Sequence, residues 1–96
     1  GETIKQGAVL DRDRLRYPAV LRNWRPGDRL HPLGHRSAHK LKRLFHEKRL
    51  SRWERDGWPV VTSGGVLVWA RGFPVAAEFA AEEGTRAGIV IAEESF

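Results

Sequence analysis

Apolar residues along this chain come in short runs, separated by polar stretches rich in turn residues. The first runs, Ala8 to Leu10 in GAVLDRDRL and Ala19 to Leu21 in YPAVLRNW, have the length and flanks of strands. In RPGDR, Pro26 fixes φ at the second turn position and Gly27 supplies the positive φ that a type II turn needs at the third. HPLG, residues 31–34, repeats that punctuation.

From Ser37 the period lengthens to that of a helix. Ala38, Leu41, Leu44 and Phe45 fall on one stripe, Ser37 is placed to cap it, and Lys40, Lys42, Arg43, Lys48 and Arg49 occupy the other faces. SRWE, residues 51–54, has the capping-box pattern of a second helix, which Gly57 and Pro59 keep short.

PVVTSGGVLVWARG predicts a hairpin, Val60 to Thr62 and Val66 to Ala70 around a Gly-Gly turn, and its continuous apolar character predicts a buried, central pair. The tail offers a weaker element near Phe79, where AAEFAAEE carries helix as well as strand tendencies, and a last strand at Ile89 to Ile91. The order predicts an α+β fold: a small mixed sheet of about five short strands with two short helices on one face.

The 96 residues suffice for one modest core, and 41% hydrophobic with 30% charged residues is a globular rather than a disordered balance. With no cysteine, neither a disulfide framework nor a cysteine zinc site can be built, and a reducing compartment, the cytoplasm, is expected. No apolar run approaches the roughly 18–20 residues of a membrane span, and the N-terminus lacks a signal-peptide pattern. Because the chain starts at Gly1 and contains no methionine, residues 1–96 are expected to be a single domain excised from a larger protein.

Charge changes the picture more than composition does. Residues 1–58 carry 15 Lys and Arg against 7 Asp and Glu, whereas residues 59–96 carry 2 against 5. Cations gathered on one part of a small fold attract a polyanion, of which nucleic acid is the commonest intracellular example; the plainer alternative is a solvated basic face. Arg22, Arg25, Arg29 and Arg36 stand on or beside turns of fixed geometry, which suits bidentate contacts to phosphates. An A-form duplex, read by shape and backbone rather than by a base code, fits such a surface.

Other chemistry finds little support. His31, His35 and His39 are spaced four apart, but Pro32 and Gly34 interrupt any helix that would align them, so no metal site is expected. SGGV at 63–66 begins like the phosphate loop of PP-loop ATPases, yet Leu67 and Val68 replace the Asp and Ser of that motif, and a strand follows instead of a helix. Ser37, Ser51 and Ser63 have capping or turn roles, and Asp28 is an ion-pair partner of the neighbouring arginines rather than a general base. No catalytic set is expected. Of Trp24, Trp53, Trp58 and Trp69, most belong to the core, Trp69 above all, though an exposed one could stack on an unpaired base.

Taken in order, LRNWRPGDRLHPLG, KLKRLF and SRWERDGWPVVTSGGVLVWARG resemble the C-terminal domain of tRNA(Ile)-lysidine synthetase from about Asp11 to Ile91. Two departures are Ser51, where the family commonly has proline, and Ala70-Arg71, where a Val-Pro pair commonly precedes the glycine matched by Gly72. The HRSAH segment between PLG and KLK is an insertion.

The resemblance implies a fragment of a ligase that uses ATP, with magnesium, to join free lysine to the wobble cytidine of a minor isoleucine tRNA. The chemistry would reside in a PP-loop catalytic domain of the same chain, and this domain would grip the tRNA near its acceptor stem. The motif carries over onto Arg22, Arg25, Asp28, Arg29, Lys40, Lys42, Arg52 and Arg55 among the polar residues, and onto Pro26, Gly27, Pro32, Leu33, Gly34, Leu41, Leu44, Phe45, Pro59 and Gly72 among the structural ones. Arg22, Arg25, Arg29, Lys40, Lys42 and Arg43 are the foremost RNA-binding candidates; Lys48, Arg52, Arg55 and Arg36 follow. The rival reading is a protein-interaction module whose basic face docks on the catalytic domain of its parent.

Overall fold

The computed structural model describes residues 7–93. Nine regular elements follow one another: β1 (Val9–Asp11), β2 (Ala19–Asn23), β3 (Arg29–Leu30), β4 (His39–Lys40), α1 (Leu41–Glu47), α2 (Arg52–Arg55), β5 (Pro59–Ser63), β6 (Val66–Ala70) and β7 (Gly88–Val90). The α+β class and the two short helices agree with the expectation. The strands number seven rather than about five, and they divide into three antiparallel sheets, β1-β7, β2-β5-β6 and β3-β4.

The hairpin forms, but only β5 is central; β6 lies at the edge of the sheet, where both strands are expected to be central. Gly64 and Gly65 adopt φ of +58° and +84°, the positive pair that a two-residue turn matched to strand twist requires. β5 is the central strand of its sheet, with β2 on its other side in the register Leu21↔Val61 and Arg22↔Val60. β7 closes the tail onto β1, pairing Ile89 with Leu10. The weak element near Phe79 is a single 3-10 turn, Ala77–Phe79, that buries Phe79 and leads into a bridge from Ala80 to Leu10.

The core gathers Leu10, Leu30, Leu41, Leu44, Phe45, Val60, Leu67, Val68 and Val75 from β1, β3, α1, β5, β6 and the segment after β6. Phe45 is its aromatic centre: Trp24 lies edge-on at 5.0 Å, Trp58 at 5.6 Å and Phe73 at 5.9 Å between ring centroids. Trp69 packs half-buried against the same core. Leu41, Leu44 and Phe45 thus form the buried stripe of α1, whereas α2 buries no residue.

The helix start departs from expectation. Ser37 is not its cap and Ala38 is not on its stripe, because His39 and Lys40 are extended and pair with Leu30 and Arg29. The helix begins only at Leu41, whose N–H donates to the Asp28 carbonyl at 2.8 Å. A backbone ladder to β3 takes the residues that side-chain periodicity alone assigns to a first helical turn. Among the described residues no helix is long and apolar enough to cross a membrane.

Candidate nucleic-acid interface

The basic segment is organised by one carboxylate. Pro26 and Gly27 (φ +95°) turn the chain so that the Asp28 N–H donates to the Arg25 carbonyl at 3.0 Å. Asp28 then turns its side chain inward: it accepts from the Arg25 N–H at 2.7 Å and from both terminal nitrogens of Arg22 at 2.9 and 2.8 Å. The pair is largely sheltered, with side-chain exposures of 20% for Arg22 and 13% for Asp28. The Arg22 guanidinium, and after it the Arg25 N–H, hold the Asp28 carboxyl below its ordinary range against the opposing effect of burial. Asp28 is therefore an ion-pair partner, as its neighbourhood suggests, but its partner is Arg22 from β2.

With its fork occupied, Arg22 serves the turn's geometry. The turn in turn places Arg25 and Arg29 outward, both exposed. Arg29 stands directly opposite Lys40 in the β3-β4 ladder. Like charges facing across strands are destabilising by roughly 0.2–1 kcal/mol.

The charge arrangement on α1 is equally unfavourable. Lys40 occupies the N-cap with no capping hydrogen bond, Lys42 and Arg43 follow in the first turn, and that turn holds no acidic residue. Cations at the positive end of the helix dipole work against it. Lys40, Lys42, Arg43 and His46 together line a shallow depression. Arg43 has an exposed i,i+4 partner, Glu47, at 3.4 Å, while Arg25, Arg29, Lys40 and Lys42 form no ion pair with a described carboxylate.

The remaining candidates separate. Arg36 is exposed on the loop after the HPLG turn. Lys48 is turned toward its own fold, donating to the Gly72 carbonyl with its ammonium 4.5 Å from the Phe73 ring centroid. Arg52 and Arg55 line a second feature, an open cleft of about 560 Å³ shared with Trp24, Trp53 and Asp56. Arg55 lies over the Trp24 ring at 5.8 Å, and its Nη1 is buried without a hydrogen-bond partner among the described residues.

The sequence leaves open which tryptophan is exposed and gives Arg49 no special place. Trp53 is 89% exposed, the one tryptophan that the fold leaves outside; the available signal is that Asp56 and Gly57, three and four residues on, continue no apolar stripe. Arg49 holds φ of +57° and closes α1 in a Schellman arrangement, with Leu50 N–H donating to the Phe45 carbonyl and Arg49 N–H to the His46 carbonyl, both at 3.0 Å. That position ordinarily belongs to glycine, which hides it from a search for C-caps.

Known proteins resemble this chain in sequence and fold. Residues 19–92 match the family described as TilS substrate C-terminal domain. The chain is 46% identical over 82 residues to the tRNA(Ile)-lysidine synthase of Solibacter usitatus, covering 85% of this chain and 18% of that protein. To the tRNA(Ile)-lysidine synthase of Symbiobacterium thermophilum it is 39% identical over 80 residues, covering 83% and 17%. The chain thus spans less than a fifth of the length of these curated relatives. Its fold matches the crystal structure of the TilS C-terminal domain with a TM-score of 0.75 at 31% identity, covering 92% of this chain and 69% of that one. With motif order, fold and these likenesses in agreement, the chain belongs to the TilS substrate C-terminal domain family, the C-terminal region of tRNA(Ile)-lysidine synthases.

Proposed function

We propose that this domain grips tRNA for a parent lysidine synthase and carries out no chemistry itself. The observation that carries the reading is a cationic surface held against its own electrostatic preference. Arg29 faces Lys40 across a ladder, and Lys40, Lys42 and Arg43 crowd the start of α1 with no acidic residue in that turn. A fold gives up stability in this way where an external polyanion restores it on binding. Arg25, Arg29, Lys40, Lys42 and Arg43 are assigned to RNA phosphates, Arg36 and Arg52 to flanking contacts, Arg22 to positioning, and Lys48 to packing.

In this reading the whole chain acts as one tRNA-binding unit in the cytoplasm. The parent's PP-loop domain would use ATP, magnesium and lysine on the wobble cytidine of a minor isoleucine tRNA, while this domain holds the acceptor-stem region. Fixed guanidiniums suit a duplex whose backbone and shape are the readable features.

The rival, docking on the parent's catalytic domain, draws on a different observation. β2 is an outer strand of its sheet and exposes Leu21 at 71%, and Tyr17, just before it in the chain, is 97% exposed. That apolar edge supports contact with protein, but it does not explain the placement of the cations. Binding of minor isoleucine tRNA by the chain and by the double variant Arg25→Gln/Arg29→Gln separates the readings. The proposal expects binding that the variant loses while remaining folded by circular dichroism; equal binding by both proteins refutes it.

A further inference from the structure

We infer that the cleft between α2 and Trp24 is a stacking site for one unpaired RNA base, with Trp53 as its platform. The inference deepens the tRNA-binding reading and rests on it. An indole left 89% exposed gains nothing from burial in this fold. The backbone that carries it is held in place: α2 is fixed by a complete capping box, with the Ser51 hydroxyl accepting from Glu54 N–H at 3.1 Å and the Glu54 carboxylate accepting from Ser51 N–H at 3.3 Å. A platform set on a capped turn binds with little further ordering of the backbone.

The surroundings specify the chemistry. Arg52 and Arg55 line the cleft, so a phosphate beside a stacked base meets guanidiniums. The Arg55 guanidinium lies 5.8 Å over the Trp24 ring at the wall of the cleft, which sets a cation beside the base-binding space. Asp56 lines the same cleft. A carboxylate repels a bare phosphate but accepts from the exocyclic amine of adenine, cytosine or guanine, which favours a base over an isolated anion. A volume of about 560 Å³ lies within the range of small-ligand clefts, roughly 300–1,000 Å³. Trp24 N–H donates to the Trp58 carbonyl at 2.8 Å and its ring packs on Phe45, so the far wall is part of the core.

The test compares a blunt RNA duplex with the same duplex bearing a short single-stranded adenosine extension, against the wild-type chain, Trp53→Ala and Trp53→Phe. Stacking of one base predicts that the extension tightens wild-type binding by about 5- to 150-fold and quenches tryptophan fluorescence, whereas the blunt duplex leaves the emission unchanged. Trp53→Ala erases the advantage of the extension while keeping affinity for the blunt duplex, and Trp53→Phe retains part of it. Equal wild-type affinity for the two RNAs, or loss of both in Trp53→Ala, overturns the stacking site and leaves the duplex-gripping reading standing. Binding of neither RNA by the wild-type chain overturns both. Insensitivity of RNA binding to Trp53→Ala, with weakened capture of the parent's catalytic domain, replaces the base by a protein partner and overturns the inference.

Discussion

Replacing Asp28 by asparagine tests whether one carboxylate sets the geometry of the basic turn. The side chain accepts three hydrogen bonds, two from the Arg22 guanidinium and one from the Arg25 N–H, at 2.7 to 2.9 Å. Bonds to charged groups contribute about 1.5–3 kcal/mol where sheltered, and an exposed ion pair contributes about 0–1 kcal/mol. Asparagine keeps the volume and one acceptor oxygen but turns an amide toward a guanidinium. For a pair as sheltered as this one, the expected cost at neutral pH is about 2 kcal/mol. In a chain of this size that lowers Tm by about 10 °C and leaves the protein folded.

The pH dependence has a definite sign. The folded-state pKa of Asp28 is depressed, chiefly by the Arg22 hydrogen bonds. Its contribution is therefore full above the pKa of an unfolded aspartate and disappears as pH falls through the depressed folded value. Urea unfolding of wild type and Asp28→Asn, at neutral pH and across the acid range, should show a gap that closes in acid. A gap under about 0.5 kcal/mol at neutral pH, within the range of ordinary surface substitutions, or one that persists unchanged in acid, refutes the reasoning.

Two further predictions follow from charges and conformations held at a cost. Arg49→Gly relieves a left-handed backbone at the end of α1 and should raise stability by about 1 kcal/mol, read as a higher midpoint in thermal unfolding. Lys40→Asp removes the like-charge pair with Arg29 and supplies a capping carboxylate to α1, for a gain of about 1 kcal/mol, while tRNA affinity measured by filter binding falls.

Local chemistry made much of this fold legible. The Gly-Gly hairpin, the Pro-Gly turn, the capping box of α2 and the stripe Leu41, Leu44, Phe45 are each written in a few adjacent residues, and each forms. Features that depend on distant partners were not legible. The pairing of His39–Lys40 with Arg29–Leu30 displaced the start of α1, and the division into three sheets follows from tail-to-head pairing of β7 with β1. At the candidate site, turn chemistry could mark Arg25 and Arg29, and periodicity Lys40, Lys42 and Arg43, as outward cations, but local pattern went no further. It could not show that Arg22, six residues from Asp28, is absorbed by that carboxylate, or that Lys48 folds back onto Gly72 and Phe73.

The measurement closest to the central claim is the affinity of this chain for minor isoleucine tRNA across a salt series, with Arg25→Gln/Arg29→Gln alongside. If Arg25, Arg29, Lys40, Lys42 and Arg43 each neutralise a phosphate, log affinity should fall with log salt at a slope of about −3.5 to −4.5, and the double variant should flatten it by about 1.5 to 2. Absence of binding at low salt, or a slope that the double variant leaves unchanged, contradicts the account.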